Sequence, residues 1–479
     1  MPLPSRDHGA SAAAPGADGY LRDRALDVLL DPSLAHVVDL VCWLEKGLVH
    51  VADAKGHVAL HRTGECTLLA GRDPVADQDP MSDRTTCYPY AAIRLHSLFA
   101  DPRAPDLAVV HTGAHRWTER GGHPGEHGSL NAVQSRAPLL LAGPGVTARG
   151  VLERVGRTVD VGATLARLSG GSYDGMDGVP LPEAVPGADH VVGLLWDGAQ
   201  CADLLALVDA GELPSVARLL QRGCAYRGGV IAEFPSVTLV NHTSALTGVG
   251  PGRHGIVNNA FYDRALGQQV VPNSSATWHS AMQWLRPGVT TVFERLPAGV
   301  SSACVNEPVD VGATYSTFGL LRDSGSAGSD GLAAHLPVAA EDPHATQEHV
   351  AADADYAWGT QVDAAGLDQV LALWRDGEPP RLTWWNTTLT DSGHHAGGPG
   401  SAIARASIRD ADRRLGVWLD LLDARDLTDR TVVLLTADHG SEGSDAACTG
   451  DWDEALQQAG VPFRDDAYGF LYLGSDVVD

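Results

Sequence analysis

The strongest constraint on this chain is a repeated pattern: short, wholly apolar runs separated by longer stretches of helical periodicity. Residues 191–196 (VVGLLW), 381–385 (RLTWW) and 431–436 (TVVLLT) are strand-length. They lack the in–out alternation of a sheet with one wet face, so both faces must be covered. Residues 201–210, 215–223 and 402–422 read as helices between them, and 159–168 as another. Further strands are expected at 37–44, 106–111 (DLAVVH), 137–142 (APLLLA) and 301–305, with a first helix at 20–31. This rhythm predicts an α/β fold with a mainly parallel central sheet and helices on both faces. The Gly- and Pro-rich stretch 170–189 is the best candidate boundary, and the less regular stretch 260–377 could hold a lid or cap.

Charge and cysteine usage narrow the classes. A formal net charge of -26, with Lys46 and Lys55 the only lysines, excludes a nucleic-acid polymer as partner, because phosphate backbones are held by clustered cations. Anionic substrates would be repelled unless bound metal supplies positive charge at the site. The seven cysteines (Cys42, Cys66, Cys87, Cys201, Cys224, Cys304, Cys448) are scattered and form no C-x-x-C pair. They read as mostly buried thiols in a reducing compartment. Residues 1–19 are polar and rich in Ala, Gly and Pro, and no apolar run reaches membrane-spanning length. The expectation is a cytoplasmic protein with no membrane partner.

In open parallel sheets, ligands collect beyond the carboxyl ends of the strands. The run VVGLLW delivers Asp197 there, and TVVLLT delivers Asp438 and His439. RLTWW leads to Asp391 and His395, four residues apart, and DLAVVH leads to a Gly-rich loop carrying His127. Carboxylates and imidazoles from several strand ends suit a paired divalent-metal site, zinc above all. Each alone has a plainer reading: an Asp after a strand often caps a turn, and a His in a Gly-rich loop is often merely exposed. Their concentration at strand ends favours the functional reading. Residues 234–263 (FPSVTLVNHTSALTGVGPGRHGIVNNAFYD) are too rich in Ser, Thr, Asn and Gly for core. They read as a loop and a short helix, where a hydroxyl beside metal is a candidate nucleophile. By itself, Ser236 or Thr238 would simply be a helix cap, and His242 and His254 read as structural.

That segment, with its T-x-x-N start, TG turn, HGI and terminal N-x-x-Y-D, resembles the nucleophile region of nucleotide pyrophosphatases/phosphodiesterases in the alkaline phosphatase superfamily. DSGHHAGGP is similar to the family's D-x-x-x-H-x-x-G-P, whose G-P end selects His395 over His394. ADHG and WDG are similar to its Asp-His pair and first aspartate. The resemblance implies Thr238 as nucleophile and Asn259 on the oxyanion side. One metal would take Asp391, His395 and His127, the other Asp197, Asp438 and His439, with Thr238 oxygen between two divalent ions, most simply Zn2+.

In the family the last histidine follows the ADHG pair, whereas here none does, and His127-Gly128 lies in the N-terminal part. RAPLLLAGPGV, VDVGATLARL and DGVPLPE resemble the closing strand, helix and tail of such domains. The reading is a circularly permuted order. Residues 1–34 are a tail and first helix, 35–185 the back of the catalytic domain, and 186–479 its front, with the cap at 260–377. Exchange of these halves in a homodimer would serve equally. The implied activity is hydrolysis of a small phosphodiester or nucleotide phosphoanhydride through a phospho-threonine intermediate. Asn259 in place of an arginine clamp resembles the diesterase arrangement, and Trp384, Trp385, Phe234 or Tyr262 could stack on a base. A phosphomonoesterase or carbon–phosphorus hydrolase on the same scaffold is one alternative, and a metal-binding protein without turnover another. The C/S-x-P-x-R pattern of sulfatases is missing.

Overall fold

A computed structural model of the chain describes residues 17–118, 121–326, 328–450 and 452–477; most of the expected N-terminal tail lies outside them. The central sheet has eight strands in the order 315–316, 302–305, 382–387, 190–196, 431–436, 139–142, 223–226 and 150–152. Ser302–Val305, Leu382–Thr387, His190–Trp196 and Thr431–Thr436 are parallel neighbours. Leu139–Ala142 runs against both of its neighbours, and the outer strands resume the common direction. Every residue of His190–Trp196, Leu382–Thr387 and Thr431–Thr436 is buried, which is why these strands read as continuous apolar runs.

Helices cover both faces. Thr158–Ser169, Ala354–Arg375 and Ala402–Ala424 share one continuous core with the strands through Leu165, Val370, Trp374, Leu415 and Trp418. Trp374 meets Trp418 edge-on at 5.3 Å between ring centres, an arrangement aromatic pairs favour. Thr158–Ser169 lies tight against Thr238–Thr247: a Cβ on Gly162 would fall 2.7 Å from Gly248 nitrogen. No side chain larger than hydrogen fits there without displacing the helix that begins at Thr238.

A second, seven-stranded antiparallel sheet stands apart from the parallel one. Its order is Phe463–Asp466, Phe470–Leu473, Leu107–His111, Val38–Glu45, Leu48–Asp53, Gly56–Leu60 and Cys66–Gly71. The run DLAVVH therefore belongs here, and not to the central sheet. Its neighbour also alternates between two cores. Leu40 and Cys42 pack with helix Ala91–Leu98, while Val41 and Trp43 pack with Ala25, Leu29, Trp452 and Leu456. Two-sided burial again hides the period of two from the sequence.

The irregular stretch 260–377 is only partly peripheral. It opens with the hairpin Phe261–Asp263/Gln268–Val270, supplies strand Ser302–Val305 to the central sheet, and ends in the 22-residue helix Ala354–Arg375. Among the described residues no helix is long and apolar enough to cross a membrane. All seven cysteines are free thiols, five of them buried.

Candidate metal centre

The register of the parallel strands decides which side chains meet. Trp196 pairs with Thr387 and Leu195 with Thr436, so the three strands end at one level. Asp197, Thr388 to Asp391, and Ala437 to His439 are the next residues out, on neighbouring strands that lie about 5 Å apart. Val305 pairs with Trp385, which brings Glu307 to the same edge. Gly198 makes the close approach possible. Its φ is +63°, a Cβ there would overlap Asp391 Oδ1, and its N–H donates to Asp438 Oδ1 at 2.9 Å.

Around this edge the structure gathers Asp197, Asp391, His395, Asp438, His439 and His127. Asp391 and His395 lie one turn apart on helix Leu389–Gly397, with His395 Nε2 3.4 Å from Asp391 Oδ2. His395 Nδ1 is 2.9 Å from the Gly125 carbonyl, and His127 Nδ1 is 3.1 Å from the Ser236 carbonyl. Both rings donate from Nδ1, which leaves their Nε2 atoms, 3.2 Å apart, turned toward each other and toward Asp391. His439 stacks on His127 at 3.8 Å and, with Nδ1 held by the Gly440 carbonyl, turns Nε2 to Asp438 at 3.2 Å and Asp197 at 3.8 Å. His394, next to His395, points elsewhere: it bonds the Thr390 carbonyl and lies 3.7 Å from Asp203.

Asp197, Asp438, His439 and His127 are buried, Asp391 and His395 are half-buried, and their charges are mutually perturbing. Burial, then repulsion from Asp438 and Asp391, raises Asp197 well above the carboxylate range. Burial would do the same to Asp391, but His395 overrides it and holds the carboxyl low; in return His395 rises to about 9. Burial and the neighbouring His439 push His127 far down. Asp197 Oδ1, Asp438 Oδ2 and His439 Nε2 have no hydrogen-bond partner among the described residues, a costly state for buried polar atoms. Ligand atoms of His127, Asp391 and His395 lie within 4.8 Å of one another, as do those of Asp197, Asp391 and His439, and those of Asp197, His242 and Asp438. Converging carboxylate and imidazole acceptors without donors fit divalent cations.

Thr238 opens helix Thr238–Thr247, where the first N–H groups have no partner within the helix. The loop before it is pinned by Asn241: its Oδ1 accepts from Glu233 N–H, and its Nδ2 donates to the Val237 carbonyl at 3.0 Å. Asn259 Oδ1 accepts the Leu239 N–H at 3.0 Å, which places the amide over the start of the helix. His242 is one turn beyond Thr238, between Glu307 and the two aspartates.

A cavity beside Thr238 and Asp197 is lined by Trp278, Phe318, Leu332 and Val362, with Asn273, Asn306 and Asn386. Trp384, Trp385, Phe234 and Tyr262, the aromatics that could have stacked on a base, are not among its lining residues. Trp384 lies against Gly193 in the core with its ring N–H bonded to Glu307, and Trp385 and Phe234 are buried. Tyr262 packs on Tyr472 under Arg464. Trp278 and Phe318 come from the stretch with no periodicity, and nothing in the sequence singled them out. Glu307 was findable, since it follows strand 301–305 as Asp197 follows 191–196.

The family model "Type I phosphodiesterase / nucleotide pyrophosphatase" matches residues 191–476. Alkaline phosphatase PafA of Elizabethkingia meningoseptica is 29% identical over 143 residues, 30% of this chain and 26% of that protein. Ectonucleotide pyrophosphatase/phosphodiesterase family member 3 of Mus musculus is 22% identical over 219 residues, 44% of this chain and 20% of that protein. The chain thus spans only 26% and 20% of the length of these curated relatives. Among solved structures, murine ectonucleotide pyrophosphatase/phosphodiesterase 5 gives a TM-score of 0.40 at 19% identity, covering 58% of this chain and 64% of that one. Phosphonoacetate hydrolase from Sinorhizobium meliloti 1021 gives 0.35 at 23%, covering 53% and 57%. With more than half of its length matched by the family model, the chain belongs to the type I phosphodiesterase/nucleotide pyrophosphatase family.

Proposed function

We propose that the protein hydrolyses a small phosphodiester or nucleotide phosphoanhydride, with Thr238 as nucleophile. The observation that carries this is the placement of Thr238 at a helix start, lining one cavity with Asp197 and His242. Asp391, His395 and His127 would hold one divalent cation, and Asp197, Asp438 and His439 the other, with zinc the best match to the donors. When bound, such ions stabilise charge on the attacking and leaving oxygens. Thr238 Oγ attacks phosphorus in line, its proton passing to water, and the bond to the leaving oxygen breaks with that oxygen taking the electron pair and then a proton from water. Water then attacks the phosphoryl-threonine, and the Thr238 oxygen recovers a proton as the P–O bond to it breaks. Asn259, with Oδ1 fixed on Leu239 N–H, presents Nδ2 to a non-bridging oxygen.

Diester preference rests on Asn259 in place of an arginine clamp; the apolar wall of Trp278, Phe318, Leu332 and Val362 encloses only about 30 Å³, room for a water and not for a second substituent. The permuted order is also a proposal: His127, from before the matched region, joins the cluster, and Leu139–Ala142 inserts between Thr431–Thr436 and Gly223–Tyr226 in the central sheet. Bis(p-nitrophenyl) phosphate and p-nitrophenyl phosphate, assayed side by side, test the reading. The diester should be preferred, EDTA should abolish turnover, and Thr238→Ala should lower kcat by at least about a thousandfold. Preference for the monoester would move the substrate class, and an active Thr238→Ala would remove the nucleophile assignment.

A further inference from the structure

Glu307 is wholly buried, and both of its carboxylate oxygens are engaged. Oε1 accepts the Val309 N–H at 3.0 Å, and Oε2 accepts the Trp384 ring N–H at 3.1 Å. That same Oε2 lies 2.8 Å from His242 Nδ1. His242 is itself 1% exposed, and its other ring nitrogen reaches 3.5 Å from Asp438 Oδ2 and 3.7 Å from Asp197 Oδ2. A line therefore runs from the core indole of Trp384 through Glu307 and the His242 ring to the two carboxylates at the strand ends. Each link comes from a different element: strand Leu382–Thr387, the turn after Ser302–Val305, and helix Thr238–Thr247.

Burying a carboxylate is expensive unless it is paired, so Glu307 in the core of a soluble fold calls for a reason. Its contacts supply one. Val309 N–H and Trp384 fix both of its oxygens and so fix the plane it offers to His242. His242 is one turn from Thr238, so whatever holds its ring also holds the orientation of the first turn against the aspartates. We propose that Glu307 and His242 are positioning residues for the Asp197–Asp438 half of the centre: Glu307, 2.8 Å from Nδ1, holds the His242 ring in place by charge and packing, and the ring, 3.5 and 3.7 Å from Asp438 and Asp197 without a hydrogen bond to either, fixes the space the two carboxylates occupy. The half formed by His127, Asp391 and His395 has separate supports, the Gly125 and Ser236 carbonyls. The consequence is selective: loss of the pair weakens one cation and spares the other. This rests on the two-cation reading given above.

The test is metal content and affinity, measured by Zn2+ titration against a competing chelator on the full chain, with turnover recorded separately. Wild type should hold two equivalents. Glu307→Gln and His242→Gln should each weaken one equivalent by about 10- to 100-fold, the range for outer supports of metal ligands, and leave the other within about twofold. Trp384→Phe, which removes the donor to Glu307 together with part of a buried ring, should shift the same equivalent in the same direction by less. Because Glu307 acts through His242, adding Glu307→Gln to His242→Gln should cost nothing more. Two unchanged equivalents, or equal weakening of both, would overturn the proposal. Thermal melts of the chelated proteins separate general destabilisation, which would lower the melting point without selecting one equivalent. A wild type holding fewer than two equivalents would overturn the two-cation reading and, with it, the selective role of the pair.

Discussion

His254 lies beneath the helix that starts at Thr238 with both ring nitrogens engaged: Ile256 N–H donates to Nδ1 at 3.1 Å, and Nε2 faces Ser244 Oγ at 3.0 Å. Accepting at Nδ1 requires the neutral ring. Burial, reinforced by Arg103 against Asp101, pushes its pKa from 6.5 down to about 3. The unfolded chain thus takes up a proton that the folded chain refuses, and the stabilising contribution is lost as pH falls from 6.5 towards 3. The slope is roughly 1.4 kcal/mol per pH unit across that window. Urea midpoints between pH 7 and 4 should fall more steeply for wild type than for His254→Gln; parallel curves would show that the ring is not held neutral. The HGI triplet announced this position in the sequence, but its role follows from contacts with Ser244 and Ile256 that sequence spacing does not specify. Asp197, Asp391 and Asp438 are different. Each stands just past an apolar run, so their shared edge is legible once the sheet is taken to be parallel. His242 and Glu307 show the limit, because a histidine inside a helix and a glutamate in a turn carry no local mark of facing each other.

At the scale of elements, helix Ala354–Arg375 secures the start of helix Leu389–Gly397, which carries Asp391 and His395. Asp363 accepts the Thr388 N–H at 2.7 Å, while its Oδ2 has no hydrogen-bond partner among the described residues. Burial raises its carboxyl from 3.8 to about 6, against the lowering pull of Arg414 and the backbone N–H groups. A raised carboxyl contributes stability that is present below 3.8 and lost as pH rises through about 6. Asp363→Asn keeps an acceptor for Thr388 and removes the charge. It should raise the melting temperature at pH 8 and leave it near wild type at pH 4; a drop at pH 8 would mean that the charge itself holds the helix start. Helix Ala354–Arg375 lay inside the stretch that read as irregular, whereas helix Ala402–Ala424 and the central strands were readable from periodicity because they are regular and well buried. The hairpin and short turns of 260–302 were not, since their conformation is set by the surfaces they cover.

For the whole molecule, the two sheets interleave distant parts of the chain. Phe470–Leu473 pairs with Leu107–His111 in the antiparallel sheet, and Leu139–Ala142 pairs with Thr431–Thr436 in the central one. Helix Ala17–Leu29 shares a core with Trp452, Leu456 and Leu471, while Val477 packs in the core on the other face of the antiparallel sheet. Residues 185–187 are exposed in the stretch that precedes strand His190–Trp196. A chain opened between Pro186 and Gly187, with residue 477 joined to residue 17 by a flexible linker long enough to pass from one face of the antiparallel sheet to the other, should fold. It should keep kcat within a few-fold and bind the same metal. An insoluble or inactive product would count against the proposed permuted order.

Periodicity and composition carried the α/β class, the strand-end carboxylates and the Thr238 segment, because those signals are local: side-chain spacing along one element, or a run of residues around one turn. Register, by contrast, is a relation between strands far apart in the chain, and it alone puts Asp197, Asp391 and Asp438 at one level. The antiparallel sheet, the Glu307–His242 pair, and the choice of Trp278 and Phe318 over Trp384 for the cavity wall were likewise settled by packing. Burial depends on what covers a residue, and that is fixed only when the layers close on one another.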